Sequence, residues 1–341
     1  MTTLDDIFGQ EQAVEVLRRA YAADRLPHGL IFAGPAGVGK ATTAAALAAL
    51  FLCEKPKADA PCGRCDSCHV FEAGNHPDYH VVTKELIRYH DKTGKSKGID
   101  LSINVVRPEV IDPAGRKAAM GRGKAFVIEQ AELMNPQAQN ALLKTLEEPA
   151  GRTVVILLTD QPAALLPTIR SRCQMVRFKP LDQAVVTREL EKRGVQKATA
   201  IDAAVLAGGS LGVALKWVED GVVAAARELT GQLDRLSAGR PPEDLAGWFK
   251  KAAEAYAAKQ LERDPLSSKD AATREGLTLY FRIAAEHVRR AMSAAADNPD
   301  ALERSCATID ALARAEQYVD ENVNIPLALQ QLATTLEGRA A

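Results

Sequence analysis

The segment "GPAGVGKATT" (34–43) contains the residues with the clearest chemical potential. Two glycines and Lys40 have the spacing G-x-x-x-x-G-K-[ST] of a phosphate-binding loop. Backbone N–H groups and the lysine of such a loop hold phosphates, and the hydroxyl of the next residue binds Mg²⁺. Here that residue is Ala41, and the neighbouring Thr42 should point about 100° away on a helix. The segment therefore predicts a degenerate nucleotide site, with a chance glycine-rich turn as the alternative.

A second acid is needed beside a phosphate loop to hold the metal and activate water. The segment "FVIEQAELM" (126–134) provides Glu129 at the end of an apolar run, where it could support Mg²⁺ through water. Gln130 follows, where a hydrolysing enzyme carries a carboxylate base, and a neutral amide cannot accept a proton from water. The predicted nucleotide-binding residues of this degenerate site are Gly34, Gly37, Gly39, Lys40, Thr42 and Glu129.

Four of the six cysteines lie close together in the segment "CEKPKADAPCGRCDSC". The four are Cys53, Cys62, Cys65 and Cys68. Four thiolates suit tetrahedral Zn²⁺ at about 2.3 Å, and a closed set of four leaves no position open for catalysis. Disulfides or unligated thiols are the alternative. The start "MTTLDDIFGQEQ" has no basic and apolar leader, so an export signal is not expected and a structural zinc site is favoured.

The elements that must position these residues follow from apolar runs and glycine or proline breaks. Segments 29–34, 79–83, 125–129 and 153–159 resemble strands buried on both faces, and they alternate with helical patterns. This alternation predicts an α/β domain with a parallel sheet, whose ligands bind beyond the carboxyl ends of the strands. Asn135 and Pro136 are predicted to begin a helix. After residue 181 only helices are expected.

Overall charge excludes a generally basic nucleic-acid binder, because 43 Lys and Arg face 44 Asp and Glu. Any DNA contact must come from a local patch. Segment 84–98 has five Lys or Arg and could touch a DNA backbone, although such runs are more often solvated loops. A second basic run, 116–124, invites the same two interpretations. No apolar stretch is long enough to span a membrane, and a cytoplasmic location is expected.

Three segments in combination are similar to the clamp-loader branch of the AAA+ proteins. They are "LPHGLIFAGPAGVGK", "NPQAQNALLKTLEEP" and "LLPTIRSRC", and "ENVNIPLALQQL" resembles that family's final helix. The resemblance implies an AAA+ P-loop domain at 1–180 that includes the zinc module at 53–68. It also implies a small helical lid at 181–220 and an all-α collar at 221–341, through which five subunits form a ring.

The resemblance also implies two arginine positions. Hydrolysing relatives carry an arginine in the lid, in a pattern like G-S-L-R-x-A-L, but "GSLGVAL" (209–215) has Gly212 there. Arg172 of "SRC" corresponds to the arginine that reaches the γ-phosphate bound by a neighbouring subunit, and it is the predicted catalytic residue, acting in trans. An ordinary surface salt bridge is the alternative interpretation of Arg172.

These features together predict a non-hydrolysing clamp-loader subunit without ATPase activity of its own. The expected partners are gamma/tau-type and delta-type subunits, the sliding clamp and primed DNA, with structural zinc as cofactor and ATP or ADP in its own site doubtful. An active gamma/tau-type ATPase is the rival, but it needs a hydroxyl at 41, a carboxylate at 130 and an arginine at 212. A zinc-dependent nucleic-acid binder is the third interpretation, and the near-zero net charge counts against it.

Overall fold

The chain folds into two compact units. The computed structural model describes residues 1–90, 100–120, 122–238, 240, 244–264, 267–294, 298–321 and 323–337. Unit 1 comprises Met1–Val195 and Ala207–Ala214, and unit 2 comprises Gln196–Leu206 and Leu215–Ala341. The three-domain division at 180 and 220 stays a prediction.

Unit 1 contains a five-stranded parallel sheet, as the alternation of strands and helices predicted. The strands are β1 (Gly29–Ala33), β2 (Tyr79–Val82), β3 (Lys124–Ile128), β4 (Thr153–Thr159) and β5 (Gln174–Arg177). Their order is β2-β3-β4-β1-β5, and every pairing is parallel. Parallel strands direct their carboxyl ends to one edge. The residues that follow β1, β3 and β4 therefore come together there.

Helices cover both faces of this sheet. Those of unit 1 are α1 (Glu11–Ala22), α2 (Lys40–Leu52), α3 (Asp66–Glu72), α4 (Ile87–His90), α5 (Ile103–Val106), α6 (Asp112–Ala114), α7 (Pro136–Glu147), α8 (Pro167–Arg170) and α9 (Gln183–Lys192). A π-helical turn, Arg107–Ile111, joins α5 to α6, and 3₁₀ turns occupy Leu4–Asp6, Lys84–Leu86, Ala131–Leu133 and Pro162–Ala164. The predicted cap is confirmed, because the side chain of Asn135 accepts a hydrogen bond from Ala138 N at 2.9 Å.

Alternate residues of the strands fill two apolar cores. Leu30 and Phe32 of β1 pack on one face with α1 and α2, whereas Ile31 and Ala33 pack on the other with α5 and α7. Burial on both faces explains the near-continuous apolar runs, since a strand between two helical layers has no solvent face. The sheet is therefore a rigid base for the loops at its carboxyl edge.

Every regular element of unit 2 within the described residues is helical, as predicted. They are α10 (Lys197–Leu206), the later part of α11 (Leu211–Glu219), α12 (Val222–Ser237), α13 (Leu245–Arg263), α14 (Lys269–Ala294), α15 (Pro299–Asp320) and α16 (Ile325–Glu337). Their shared core includes Phe249 and Phe281, whose ring centroids lie 5.0 Å apart. Among the described residues, no helix combines the length and hydrophobicity required to cross a membrane.

Candidate functional site

The phosphate loop connects β1 to α2 with the backbone that the sequence pattern requires. Gly37 has φ of 70° and Gly39 has φ of 104°, a region that residues with a Cβ rarely enter. Gly34 also needs to lack a side chain, because a Cβ there would lie 2.4 Å from the carbonyl oxygen of Phe178. Lys40 is the first residue of α2. The strand, turn and helix of a phosphate site are thus all present.

Backbone carbonyl groups of the phosphate loop accept hydrogen bonds from the loop's own lysine. Lys40 is buried, and its Nζ donates hydrogen bonds to the carbonyl oxygens of Gly34 at 2.5 Å and Pro35 at 2.7 Å. Burial lowers the pKa of Lys40, while the nearby carboxylates of Asp160 and Glu132 oppose that shift. An anion entering the loop would have to compete with these carbonyls for the ammonium group.

Gly212 lies directly against the phosphate loop. It belongs to the part of unit 1 formed by Ala207–Ala214, and its backbone N–H donates to Gly37 O at 2.9 Å. A Cβ on Gly212 would meet Gly37 Cα at 2.9 Å, and a Cβ on Gly37 would meet Ser210 Oγ at 2.4 Å. The position that carries an arginine in the hydrolysing pattern here forms a contact between two backbones.

Gln10 is a site residue that the sequence analysis missed. Its buried side-chain amide donates to Val38 O at 3.2 Å and to Lys179 O at 2.7 Å, and its oxygen accepts from Lys179 N at 3.0 Å. The residue therefore ties the phosphate loop to the chain after β5. A glutamine just before a helix carries no signal of such long-range contacts in the sequence.

The remaining predicted nucleotide contacts lie at the same edge of the sheet. Glu129 follows β3 and is partly buried, and burial, with a smaller effect of Glu85, raises its pKa. Gln130 adopts a left-handed conformation with φ of 49°. Thr42 is exposed, whereas the next hydroxyl along α2, that of Thr43, donates back to Gly39 O at 2.9 Å. The structure places no hydroxyl at position 41, because that residue is Ala41.

The four predicted cysteine ligands converge. The Sγ atoms of Cys53, Cys62, Cys65 and Cys68 all lie within 4.8 Å of one another. Two pairs, Cys53 with Cys65 and Cys62 with Cys68, are 3.9 Å apart at Sγ. A disulfide requires about 2.05 Å, whereas four sulfurs at 2.3 Å from one centre lie about 3.8 Å apart. The cluster thus has the spacing of a tetrahedral Cys₄ metal site.

The electrostatics and surroundings of this cluster involve the backbone and one histidine. The backbone N–H of Arg64 is the main cause that lowers the pKa of Cys62 to about 6, and burial raises that of Cys68 to about 12. His76 Nε2 lies 3.0 Å from Ser67 Oγ, and its Nδ1 accepts from Asp78 N at 3.1 Å. Both ring nitrogens of His76 therefore have partners outside the thiol set.

Arg172 is placed on the surface, at the exit of α8. Its Nε donates to Oε1 of Glu147 at 2.5 Å, its Nη2 contacts the same oxygen, and its Nη1 donates to Thr168 O at 3.1 Å. The side chain is 36 % exposed, so part of the guanidinium group faces solvent. Arg170 is the last residue of α8 and is exposed as well.

The structure bears differently on the two basic runs, 84–98 and 116–124, that could touch DNA. Residues 91–98 of the run at 84–98 lie outside the described residues; within the described part, Arg88 is exposed and donates to Glu85 O at 3.0 Å. In the second run Lys124 is 3 % exposed, and its ammonium group donates to the carbonyl oxygens of Pro113, Ala114 and Arg116. Lys124 is therefore a structural cation that no external phosphate reaches.

Comparisons with known proteins agree with the motifs. A family model described as "DNA polymerase III, delta subunit" matches residues 9–182, about half of the chain. The DNA polymerase III subunit delta' of Pseudomonas aeruginosa is 38% identical over 186 residues, 54% of this chain and 53% of that protein. Subunit delta' of Bacillus subtilis is 34% identical over 187 residues, which cover 54% of this chain and 52% of that protein. Subunit tau of Escherichia coli is 32% identical over 189 residues, 55% of this chain and 27% of that protein. The chain spans about half the length of the delta' relatives it matches. These matches confirm the resemblance that the motifs indicated, and the chain belongs to the DNA polymerase III delta subunit family that the family model describes.

Proposed function

We propose that the chain is a non-hydrolysing subunit of a bacterial DNA polymerase III clamp loader, of the delta' type. In this role it helps to load the sliding clamp on primed DNA and supplies Arg172 to the ATP site of a neighbouring subunit. The observation that carries the proposal is the close backbone contact of Gly212 with the phosphate loop, since Gly212 N donates to Gly37 O at the position where the hydrolysing pattern carries an arginine. Family membership supplies the context of the loader.

The proposed absence of hydrolysis rests on three substitutions in one site. Ala41 provides no hydroxyl for Mg²⁺, Gln130 provides no base for water, and Gly212 provides no cation for the phosphates. Each removes a different part of the phosphoryl-transfer machinery. The predicted contacts Gly34, Gly37, Gly39, Lys40, Thr42 and Glu129 therefore lie in or beside the phosphate loop without a complete catalytic set.

Arg172 is proposed as the contribution to the neighbour. A guanidinium group is planar and always charged, and it can contact two phosphate oxygens at once. Its partial exposure leaves it accessible to a ligand from another subunit. The proposed partners are gamma/tau-type and delta-type subunits in a ring of five, together with the clamp and primed DNA, in the cytoplasm.

Structural zinc is the proposed metal of the cysteine cluster. The 3.9 Å separations of the two Sγ pairs fit the tetrahedral spacing of about 3.8 Å. Zinc bound by Cys53, Cys62, Cys65 and Cys68 would cross-link the segment between α2 and α3 without an open coordination position for catalysis. Ser67 Oγ of α3 also joins α3 directly to α2 by donating to Leu52 O at 2.8 Å.

The gamma/tau-type ATPase remains the alternative, and no observation favours it. The delta' relatives match at 38% and 34% identity, and the tau relative of Escherichia coli at 32%. The motor function also needs the three side chains that positions 41, 130 and 212 lack. The comparison of Lys40 and Arg172 variants separates the two functions directly.

The test is ATP turnover by the reconstituted loader with clamp and primed DNA. Lys40→Ala should leave turnover unchanged. Arg172→Ala should reduce it strongly, because a finger supplied in trans is worth about 10³–10⁵ at the site it serves. Arg170→Ala, an exposed arginine two residues away, is the matched control. Loss of turnover in Lys40→Ala, or normal turnover in Arg172→Ala, contradicts the proposal, provided that size-exclusion chromatography shows an intact complex.

A further inference from the structure

The ion pair between Arg172 and Glu147 joins two elements that meet at the surface of unit 1. Glu147 is the last residue of α7, and Arg172 follows α8. Oε1 of Glu147 accepts a hydrogen bond from Nε and forms an ion-pair contact with Nη2 of the guanidinium group, while Thr168 O accepts from Nη1. All three guanidinium nitrogens of Arg172 thereby contact its own subunit, two of them through hydrogen bonds.

Helix stability does not explain a carboxylate at this position. The carboxyl end of a helix carries partial negative charge, so Glu147 at the end of α7 is electrostatically unfavourable there. An ion pair whose partners are 36 % and 46 % exposed also contributes little to folding. What the pair does provide is orientation, because one oxygen of the carboxylate lies against both Nε and Nη2 and holds that edge of the guanidinium group.

Orientation is what a finger residue needs. A guanidinium group has five N–H donors, and the contacts with Glu147 and Thr168 use three of them. Two donors stay free for phosphate oxygens. Holding one edge of the group on its own subunit therefore leaves donors for a ligand and removes the freedom of a long side chain to turn away.

We propose that Glu147 is a positioning residue for Arg172, which holds the guanidinium group in the orientation that a neighbour's γ-phosphate requires. The inference rests on the proposed function, since it assumes that Arg172 acts in trans. Glu147 itself touches no reacting atom. Its removal lowers the rate of phosphoryl transfer at the neighbouring site without changing how that site binds ATP, because ATP is held by the neighbour's own loop.

The experiment measures kcat and KM for ATP in the reconstituted loader with clamp and primed DNA. The variants are Glu147→Ala, Glu147→Gln, Arg172→Ala and the double variant, and Glu148→Ala is the matched control because Glu148 is the adjacent exposed carboxylate. Glu147→Ala should lower kcat about tenfold at constant KM, since a misplacement of about 1 Å can cost up to 10²-fold. Glu147→Gln keeps an acceptor oxygen and should lose less.

The double-mutant cycle distinguishes positioning from a structural role. In the Arg172→Ala background, Glu147→Ala should have no further effect, because there is no finger left to orient. An equal loss in both backgrounds, a rise in turnover, or a silent Glu147→Ala beside a damaging Arg172→Ala would each overturn the inference and leave the proposed function intact. A silent Arg172→Ala would instead refute the finger itself, and this inference with it.

Discussion

Replacement of Gly212 by alanine tests the contact between the phosphate loop and α11. The added Cβ would lie 2.9 Å from Gly37 Cα and 3.3 Å from Gly37 O, so one backbone must move away. Overpacking of this kind costs about 1–3 kcal/mol, and the Gly212–Gly37 hydrogen bond contributes about 0.5–1.5 kcal/mol. Alanine regains about 1 kcal/mol of helix propensity. We expect a net local loss of about 2 kcal/mol.

The matched control is the same substitution at Gly231. That residue is exposed within α12, and a Cβ there meets no heavy atom within 4 Å. Gly231→Ala should therefore stabilise its helix by about 0.5–1 kcal/mol through propensity alone. The two substitutions are identical in chemistry and should differ in sign, because only one of them meets another backbone.

Amide hydrogen exchange followed by mass spectrometry measures each effect locally, which matters in a chain with two units. Peptides covering residues 34–40 should exchange about 30-fold faster in Gly212→Ala, since each 1.4 kcal/mol is a factor of ten. Peptides covering Gly231 should exchange more slowly in Gly231→Ala. Unchanged or slower exchange at residues 34–40 in Gly212→Ala would refute the close approach of the two backbones.

Three further predictions concern other parts of unit 1. Elemental analysis should find one zinc per chain, and Cys65→Ser should lower that content and destabilise the segment between α2 and α3, because structural zinc contributes folding free energy. Lys124→Met should lower the free energy of unfolding by about 2–4 kcal/mol in urea titrations, because the carbonyl oxygens of Pro113, Ala114 and Arg116 lose their buried cationic donor. Burial lowers the pKa of His80, whose ring stacks on Phe126 at 4.8 Å. The unfolded chain therefore binds the proton first, so stability is full above the ordinary value of 6.5 and falls as the pH decreases below it. His80→Phe should weaken this dependence in melting curves measured from pH 7 to 5.

Local patterns predicted the parts of the site that depend on neighbouring residues. The strand, the glycine turn and the helix could be predicted from "GLIFAGPAGVGK" because a phosphate loop requires positive φ values and a lysine at the start of its helix, and both depend only on neighbouring residues. The cysteine cluster was readable for the same reason, since three of its four members lie in successive C-x-x-C steps. Both predictions needed no knowledge of how distant segments pack.

Contacts between distant segments escaped prediction. Gln10 and Val38 are 28 residues apart, and Arg172 and Glu147 are 25 residues apart. A glutamine or a glutamate has the same appearance in a sequence whether it is solvated or paired. Lys124 belongs to a basic run that in the sequence suits either a DNA contact or a solvated loop, whereas its ammonium group donates to three carbonyl oxygens of the same chain. Only the folded chain distinguishes these cases, because tertiary contacts determine whether a polar side chain is buried.

The glycines of the phosphate loop are also required by packing contacts with distant segments. On the proposed function, no phosphate is turned over in this loop, so catalysis does not require its shape. Packing does require it: a Cβ on Gly34 would lie 2.4 Å from Phe178 O, and a Cβ on Gly37 would lie 2.4 Å from Ser210 Oγ. The glycines of the loop therefore admit the close approach of Phe178 O and of Ser210 Oγ, both within unit 1. These packing contacts require the glycines but no hydroxyl at position 41, which is the combination this chain carries.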